Sequence, residues 1–419
     1  MRTATESESA STQERLQSAR RAAAEVGRLS TSQKNAILAA MGAEIKCYRD
    51  EILAANAVDL AASDLSSSSR DRLLLSPPRI AAIEEAIAAV AALPDPVGEV
   101  LTEWSRPNGL RISKVRVPLG VVGIIYESRP NVTVDAVALC LKSGNAVVLR
   151  GGREAASTNE VIVKILQATP GMPAGAIQLL DSRSRESAKE LMRARGLVDV
   201  LVPRGGAALI NRVVEEATVP VIETGAGNCH VYVDKTADLE MADRIVINAK
   251  TQRPSVCNAA EKLLIHQDIT REYVPRIVAK LLACGVEILG DEPTRRLAAG
   301  YGIGVAEEAD WYTEYLDLRM AIAVVPSLDA AITHINHYST RHSDAIVASD
   351  EARARRFLNQ VDSAAVYWNA STRFTDGGEF GLGAEMGISN QKLHCRGPFG
   401  LPELTSTKYQ VFGTGQVRS

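Results

Sequence analysis

The chain has 419 residues, and its 46% hydrophobic and 23% charged content is typical of a globular enzyme with two or three domains. A formal net charge of −3 offers no electrostatic basis for binding nucleic acid or an anionic membrane, so we expect neither partner. The six cysteines lack the paired spacing of a zinc site, and the chain has no apolar signal core and no membrane-spanning run. We therefore expect a cytoplasmic protein with reduced thiols and no metal.

The first part of the chain predicts a tail followed by helices. Residues 1–12 offer almost nothing to bury, so we expect a frayed tail there. Apolar positions recur at helical spacing over residues 13–64, with Ser30 or Thr31 as an N-cap inside this stretch. Ser76 is followed by two prolines and predicts the start of a further helix, because proline is tolerated in a first helical turn.

Residues 110–117 predict a half-exposed β-strand. Apolar and polar side chains alternate along it, except for one slip at residues 113–114 that indicates a β-bulge. The turn signal at residues 107–109 predicts a hairpin. A two-stranded ribbon is marginal when isolated, so we expect the hairpin to pack on another domain or subunit. Residues 405–412 predict a final edge strand.

The next segments alternate between apolar runs and amphipathic helical patterns, which predicts a doubly wound parallel sheet. The apolar runs cover residues 121–126, 146–149, 176–180, 198–202 and 219–222. The helical patterns cover residues 134–141, 157–166, 186–193 and 207–216. Ligands bind beyond the carboxyl ends of the strands in such sheets, so the residues after each run are candidates for a binding site.

Two predicted strand ends carry an arginine and a pair of glycines just before a helix. They are Arg150-Gly151-Gly152 and Arg204-Gly205-Gly206. Such ends leave backbone N–H groups and a positive helix end available for phosphate, which favours a nucleotide cofactor. The alternative, that the glycines only form tight turns, stays open. No G-x-G-x-x-G motif follows any strand, which favours a variant mode of dinucleotide binding.

A second α/β domain is predicted after residue 234. A helical pattern at residues 239–250 leads into a polar loop, and a second set of strands and helices follows. The clearest strand-like runs cover residues 321–326, 345–348 and 364–368. We expect residues 291–310 to form irregular surface, and the glycine-rich residues 374–404 to form a loop-rich closing segment on the catalytic face.

The polar loop at residues 252–260 contains Cys257, our candidate nucleophile. A thiolate attacks carbonyl carbon, so a catalytic cysteine needs a reachable polar setting with positive potential nearby, which Arg253 can supply. The loop alone is weak evidence, because buried structural cysteines are commoner and cysteine signatures transfer poorly between families.

Residues 333–344 gather three of the six histidines. A metal site is disfavoured, because no cysteine or carboxylate cluster completes a ligand set. Arg341 in this segment is a candidate for recognising an anionic substrate, and the alternative is that it only solvates the end of a helix.

The assembled pattern resembles the aldehyde dehydrogenase superfamily, and within it the gamma-glutamyl phosphate reductase family. The likeness to the cofactor half of the superfamily rests on residues 118–125, 130–131 and 138–150. The likeness to the narrower family rests on residues 125–135, 252–258, 381–389 and 396–398. It extends over nearly the whole chain, from about residue 13 to residue 418, which chance similarity does not explain.

The resemblance implies an aldehyde dehydrogenase-like α/β fold, with a doubly wound cofactor domain, a second α/β catalytic domain and a small β oligomerisation element. We expect the NADP-binding domain at residues 1–97 and 118–224, and the catalytic domain, which carries the cysteine loop, at residues 225–388. The oligomerisation hairpin and C-terminal strand are expected at residues 98–117 and 389–419. A homo-oligomer, either a dimer or a tetramer, is the expected assembly.

The resemblance also implies roles for individual residues. It makes Cys257 the nucleophile and assigns the oxyanion to the side-chain amide of Asn131 and the Cys257 N–H. Arg253, Ser255 and Arg341 are the candidate substrate-binding residues.

The candidate cofactor-binding residues are Arg150, Gly151, Gly205, Gly206 and Glu223. Arg150 stands where many relatives place a lysine near the adenosine ribose, and its guanidinium favours the 2′-phosphate of NADP. Glu223 also falls where hydrolytic relatives keep the base that activates water. The residues that follow it, 224–227, depart from their pattern and leave this role open.

The implied activity is the NADPH-dependent reduction of L-glutamyl 5-phosphate to L-glutamate 5-semialdehyde and phosphate, through a cysteine thioacyl intermediate, in L-proline biosynthesis. Glutamate 5-kinase is a candidate partner, expected as a separate protein because the reductase pattern takes up the chain. The nearest rival is a hydrolytic or CoA-acylating aldehyde dehydrogenase. A nucleotide-binding scaffold without catalysis is the other alternative, and the presence of both Cys257 and Asn131 speaks against it.

Overall fold

The computed structural model describes residues 10–418, except for residues 64 and 66 and the side chains of residues 67 and 68. Residues 1–9 of the predicted tail therefore lie outside the described residues. The chain divides into two compact units. The first unit comprises Met1–Glu223, Leu382–Gly387 and Phe399–Ser419, and the second comprises Thr224–Gly381 and Ile388–Pro398.

The secondary structure of the described residues alternates helices and strands over most of its length. The helices are α1 Thr12–Val26, α2 Thr31–Cys47, α3 Arg49–Ala62, α4 Ser67–Leu73, α5 Pro77–Ala92, α6 Pro130–Lys142, α7 Ala156–Ala168, α8 Arg185–Met192, α9 Ala207–Glu216, α10 Leu239–Thr251, α11 Thr270–Ala283, α12 Glu292–Leu297, α13 Glu308–Tyr312, α14 Leu328–Tyr338 and α15 Glu351–Gln360. The strands are β1 Val100–Ser105, β2 Arg111–Pro118, β3 Val121–Tyr126, β4 Ala146–Arg150, β5 Ile177–Leu179, β6 Val200–Arg204, β7 Cys229–Val233, β8 Ala260–His266, β9 Glu287–Gly290, β10 Gly304–Val305, β11 Arg319–Val325, β12 Ser343–Val347, β13 Ala365–Trp368, β14 Gly387–Ser389, β15 Gly397–Phe399 and β16 Thr405–Phe412.

The helix starts of the first unit confirm the signals in the sequence. The Ser30 side chain accepts the backbone N–H of Gln33, and the Gln33 side chain accepts the backbone N–H of Ser30, which forms a complete capping box for α2. Helix α5 begins with two prolines directly after Ser76, as predicted, although no capping hydrogen bond from the Ser76 side chain is found.

A four-stranded parallel sheet in the order β5-β4-β3-β6 forms the core of the first unit. All six residues of β3 are buried, which explains its unbroken apolar run. The predicted strand at residues 219–222 is reduced to an isolated bridge between Leu201 and Val221. Pro220 has no N–H to donate, so the ladder cannot continue there. Because β3, β4 and β6 are parallel neighbours, their carboxyl ends lie at one edge of the sheet.

The predicted hairpin is confirmed, and it is part of a three-stranded antiparallel sheet in the order β1-β2-β16. The predicted bulge at residues 113–114 is wrong, because both residues pair regularly with β1 and β16. The register shift lies between Val100 and Thr102 of β1. The slip in the pattern has another cause: Ser113 is buried, and its hydroxyl donates to Glu103 at 2.5 Å.

A seven-stranded sheet in the order β10-β9-β11-β8-β7-β12-β13 forms the core of the second unit. Every paired neighbour in it is parallel, and two separate clusters of buried apolar side chains belong to this unit. The central strand β7 was not predicted, because its polar start, Cys229-His230, interrupts the apolar signal. The expectation of irregular surface at residues 291–310 is wrong in part. Helix α12, capped by the Asp291 side chain, and the short strand β10 lie within it.

No helix among the described residues is long and apolar enough to cross a membrane.

Candidate functional site

The loop that carries Cys257 lies between the end of α10 and the start of β8, in the second unit. Gln252 caps α10, and Pro254 follows within the loop, where helix cannot continue. A tight turn then closes with the Ala259 N–H bonded to the Val256 carbonyl at 3.1 Å. The half-buried Cys257 is thus held between two elements of the core rather than on a long mobile loop.

The segment that leads into β7 packs against the carbonyl group of Cys257. Gly227 lies so close that a Cβ at this position would overlap the Cys257 carbonyl oxygen, so only glycine fits. The Sγ of Cys229 donates to the same oxygen at 3.1 Å. Burial raises the pKa of Cys229 well above its usual value, and neighbouring negative charges raise it further, so this thiol remains a proton donor.

Arg373, which lies far along the chain, contacts residues on both sides of Cys257. Its Nε donates to the Oε1 of Gln252 at 2.8 Å, and its Nη1 donates to the Oδ1 of Asn258. Asn258 is further fixed because its amide donates to the Thr375 carbonyl at 2.8 Å, while its own carbonyl accepts the Thr372 hydroxyl at 2.7 Å. Sequence reasoning missed Arg373, since a position 115 residues after Asn258 gives no local signal.

The charge of Arg373 bears directly on Cys257. Burial and the positive charge of Arg253 lower the pKa of the Arg373 guanidinium, whereas a thiolate at Cys257 raises it. By reciprocity, the positive charge of Arg373 favours the thiolate form of Cys257. Arg253, the arginine singled out in the sequence, is exposed, whereas Arg373 is half-buried and held in place by two side chains.

The other candidate substrate-binding residues also belong to the second unit. Ser255 is exposed two residues before Cys257. Arg341 is exposed and has a left-handed φ of 64°, which is uncommon for a residue other than glycine and is often found at ligand sites. The segment before it is tied to the cysteine loop, because the Thr340 hydroxyl accepts the N–H of Asn228, next to Gly227.

A buried charge cluster lies beneath the same loop. Lys250 at the end of α10 and Glu261 at the start of β8 form an ion pair at 2.8 Å, with both side chains fully buried. Burial raises the pKa of Glu261 to about 7 and lowers that of Lys262 to about 7. Glu314 accepts the N–H of Gly227 at 2.7 Å, and burial raises its pKa. The pair thus fixes the two elements that bracket Cys257.

Asn131 lies in the first turn of α6, at the carboxyl end of β3, in the first unit. Its side chain is exposed, and its Nδ2 donates to Asp135 at 3.1 Å. Burial raises the pKa of Asp135 to about 6, while the Asn131 hydrogen bond and the charge of Arg204 oppose that rise. An amide nitrogen carries two hydrogens, so one remains for another acceptor.

Arg150, at the end of β4, is held by backbone carbonyls. Its guanidinium donates to the carbonyls of Gly151, Ser182 and Ser184 at 3.0 to 3.3 Å. Its Nε is buried and has no hydrogen-bond partner among the described residues, and burial lowers its pKa. Gly151 is required by packing, because a Cβ there would overlap the Asn159 side chain.

Gly205 and Gly206 lie between β6 and α9, as predicted, and both are exposed. The Gly206 N–H donates to the carboxylate of Glu127 at 2.9 Å, so an acidic side chain stands at the start of α9. Glu223 is half-buried and ends the first long segment of the first unit. Glu127 was not singled out in the sequence, although it directly follows β3.

The histidine-rich segment offers no metal centre. His334 lies on α14 and His342 before β12, and burial lowers their pKa values to about 3 and about 4, so both are neutral. Among the described residues, no group of three or more histidine, cysteine or acidic side chains could hold a metal ion.

A doubly wound sheet with glycine-rich strand ends suits an oxidoreductase with a dinucleotide cofactor. Residues 1–295 match the aldehyde dehydrogenase family. The chain therefore belongs to the aldehyde dehydrogenase family, whose members use a nicotinamide cofactor.

Its similarity to individual proteins is narrower. It is 67% identical over 407 residues to the gamma-glutamyl phosphate reductase of Koribacter versatilis, covering 97% of this chain and 100% of that protein. It is 56% identical to the protein of the same name from Moorella thermoacetica, covering 96% and 97%. The crystal structure of gamma-glutamyl phosphate reductase from Thermotoga maritima superposes with a TM-score of 0.95 at 46% identity, covering 97% of this chain and 100% of that one. Within the family, the chain thus groups with the gamma-glutamyl phosphate reductases, which confirms the resemblance, the fold class and the enzyme class.

The contacts of Arg373 generate a prediction about thiol reactivity. In an Arg373→Met variant, we expect less of Cys257 to be in the thiolate form near pH 7, because a nearby positive charge is lost. Alkylation by iodoacetamide near pH 7 should then slow by about tenfold, and the pH profile of its rate, followed by mass spectrometry of the Cys257 peptide, measures this.

Arg355→Met, which removes an exposed arginine of α15, is the matched control and should leave the profile unchanged. Arg373→Lys keeps the charge but loses the double contact, so its alkylation rate should lie between those of Arg373→Met and the wild type. An unaltered profile in Arg373→Met would show that this residue does not set the charge state of Cys257.

Proposed function

We propose that this enzyme reduces L-glutamyl 5-phosphate to L-glutamate 5-semialdehyde and phosphate, using NADPH and a thioacyl intermediate on Cys257, as a step of L-proline biosynthesis. The observation that carries the proposal is the 67% identity to a gamma-glutamyl phosphate reductase over nearly the full chain. The arrangement around Cys257 supports it, because the positive charge of Arg373 acts on the thiol in the loop.

The first chemical step is acyl transfer to sulfur. The Cys257 thiolate attacks the γ-carbonyl carbon, the C–S bond forms, and the C–O bond to phosphate breaks with its electron pair leaving on phosphate. Phosphate is a good leaving group, so the step needs no strong general acid. We assign the developing oxyanion to the Cys257 N–H and the second amide hydrogen of Asn131.

The loop contacts suit this step in a specific way. The Cys257 carbonyl is held by Gly227 and by the Cys229 thiol, which fixes the peptide that carries the nucleophile and its N–H. A site that is already ordered loses less entropy when the transition state forms. A reductive reaction needs no base to activate water, because hydrolysis would remove the thioacyl group before it is reduced. Glu223 is therefore not needed in that role.

The cofactor would be held at the carboxyl ends of β3, β4 and β6. The residues there fit a dinucleotide, because Gly205 and Gly206 expose backbone at the start of α9, and the buried Nε of Arg150 lacks an acceptor among the described residues. The bound cofactor supplies hydride to the thioacyl carbon. We propose NADPH rather than NADH on the positive charge of Arg150, which would act near the adenosine ribose.

Substrate charges are assigned to three residues near the cysteine loop. We propose that Arg253 and Arg341 bind the phosphate or the α-carboxylate, with Ser255 as a hydroxyl donor. Both arginines are exposed, and Arg341 adopts a strained left-handed conformation.

Arg341→Ala and Arg253→Ala should each raise one KM by about tenfold to a hundredfold, with a smaller change in kcat, because a charged hydrogen bond to the substrate is lost. Steady-state kinetics in the oxidative direction measure this: the KM for the semialdehyde rises if the arginine binds the α-carboxylate, and the KM for inorganic phosphate rises if it binds the phosphate. Arg356→Ala, on the exposed surface of α15, is the control. If both KM values are unchanged in a variant, its arginine does not belong to the substrate site.

The sheet β1-β2-β16 supports a proposal about assembly. Its exposed apolar side chains are Val100, Leu101, Trp104, Tyr409, Val411 and Phe412. We propose that they are covered in a homo-oligomer, either a dimer or a tetramer. Light scattering should give two or four times the chain mass of 44.9 kDa, and the monomer mass at micromolar concentration would contradict this.

Glutamate 5-kinase would supply the acyl phosphate, which is short-lived in water, so we propose it as a partner of the same pathway. A shared cytoplasmic location follows from the proposal, and cell fractionation would test it. Co-purification of the two proteins, or its absence at matched expression, would decide whether they bind one another.

The reaction run backwards tests the proposed function. Purified protein is given pyrroline-5-carboxylate, which equilibrates with the semialdehyde, and NADP, and the formation of NADPH is recorded with and without inorganic phosphate. We expect the rate to depend on phosphate, since phosphate must attack the thioacyl group to release it. We expect loss of at least about a thousandfold in Cys257→Ser, because the nucleophile is removed.

Equal rates with and without phosphate would contradict the proposal and favour a hydrolytic enzyme in which Glu223 acts as base. A rate that requires coenzyme A instead would favour an acylating one. Repeating the assay with NAD in place of NADP measures the cofactor preference, and an equal or higher rate with NAD would overturn the choice of NADPH.

A further inference from the structure

We propose that the carboxylate of Glu127 occupies the phosphate-binding end of α9 and must be displaced when the pyrophosphate of the cofactor binds. This inference rests on the cofactor site proposed above and deepens it, because it assigns a residue that sets the affinity of that site. Glu127 thereby acts as an internal competitor of the cofactor.

The backbone of Glu127 is fixed next to the proposed phosphate site. Its N–H donates to the carbonyl of Arg204 at 3.1 Å, which continues the pairing of β3 with β6 by one residue. The side chain then reaches the turn after β6, where Oε2 accepts the Gly206 N–H at 2.9 Å. A Cβ at Gly205 would come within 2.6 Å of the Glu127 carboxyl carbon, so the carboxylate is seated directly against the glycine pair.

Helix α9 makes this position favourable for an anion. It has ten residues, its N-cap is Gly206, and neither a capping side chain nor an acidic residue in its first turn is found within the helix itself. Glu127, which directly follows β3, therefore places a negative charge at the positive end of the helix dipole and accepts the Gly206 N–H. A carboxylate oxygen and a phosphate oxygen are both anionic acceptors and can each accept that N–H.

The second glycine pair has a carboxylate of its own, which is an independent observation. Glu154 accepts both the N–H and the hydroxyl of Ser128, at 2.9 and 2.5 Å. A Cβ at Gly152 would overlap the same carboxylate. Each of the two glycine-rich strand ends thus holds an acidic side chain at the place where a phosphate was predicted, and Glu127 does so at the start of a ten-residue α-helix.

The contact between Glu127 and Gly206 should lower the affinity of the protein for the cofactor by a measurable amount. If the contact between Glu127 and Gly206 is populated in the protein without cofactor, the dissociation constant is raised by one plus the ratio of the closed form to the open form. A carboxylate at a helix N-terminus is stabilised enough to make this ratio about 3 to 10. The negative charge of Glu127 further opposes the pyrophosphate in the bound state.

The test is the dissociation constant of NADPH measured by fluorescence titration, without substrate and without turnover. In Glu127→Ala, we expect binding to be about threefold to tenfold tighter than in the wild type. Glu127→Gln keeps a neutral acceptor for the Gly206 N–H, so its dissociation constant for NADPH should lie between those of the wild type and Glu127→Ala. The protein without cofactor should melt at a lower temperature in Glu127→Ala, since α9 loses its cap.

Glu85→Gln is the matched control, because Glu85 is an exposed acidic residue on α5 of the same unit, and it should bind NADPH as the wild type does. Equal or weaker binding by Glu127→Ala, with a folded protein, would overturn the inference while the cofactor proposal stands. Failure of the wild type and all variants to bind NADPH would overturn the proposed cofactor and this inference together.

Discussion

The close approach of Gly227 to the carbonyl of Cys257 is the constraint on which the site depends. No side chain is tolerated at Gly227, because its Cβ would overlap the carbonyl oxygen, and the Cys229 thiol reaches the same oxygen from the start of β7. Cys257 is therefore attached to the interior of the seven-stranded sheet, since β7 and β8 are paired neighbours in it. Everything that orders this sheet also orders the peptide that carries Cys257.

Electrostatics reinforce this attachment. Beneath the loop, the buried pair of Lys250 and Glu261 joins the end of α10 to the start of β8. Above it, Arg373 spans Gln252 and Asn258 and adds positive charge next to the thiol. Buried ion pairs contribute little net stability, but breaking one is costly, so such pairs favour one arrangement over its alternatives. The ion pair and Arg373 together hold the loop in one arrangement, and the charge of Arg373 favours the thiolate form of Cys257.

Local patterns predicted most of the elements, because capping, periodicity and strand ends are encoded over a few residues. The capping box at Ser30 and the parallel runs around β3 are examples, whereas the role of Cys257 was inferred from the family resemblance and stays a prediction. Long-range partners could not be predicted in this way. Arg373 meets Asn258 across 115 residues, and Glu127 meets Gly206 across 79.

The errors have the same origin. The slip at residues 113–114 was attributed to a bulge, but its cause is a buried hydrogen bond from Ser113 to Glu103 on the neighbouring strand. Strand β7 was missed because a buried histidine and cysteine were treated as polar, although the His230 backbone N–H is satisfied by Asp344 at 2.7 Å. Partners from elsewhere in the fold change what a residue can do, and a single sequence does not reveal them.

The measurement that tests the account most directly is the mass of the acyl-enzyme. L-Glutamyl 5-phosphate is generated in place from glutamate and ATP by glutamate 5-kinase, the nicotinamide cofactor is withheld, and the protein is quenched in acid. We predict a glutamyl adduct on the Cys257 peptide that hydroxylamine removes and that Cys257→Ser lacks. An adduct on a different cysteine, or no adduct on a protein that turns over when cofactor is added, would contradict it.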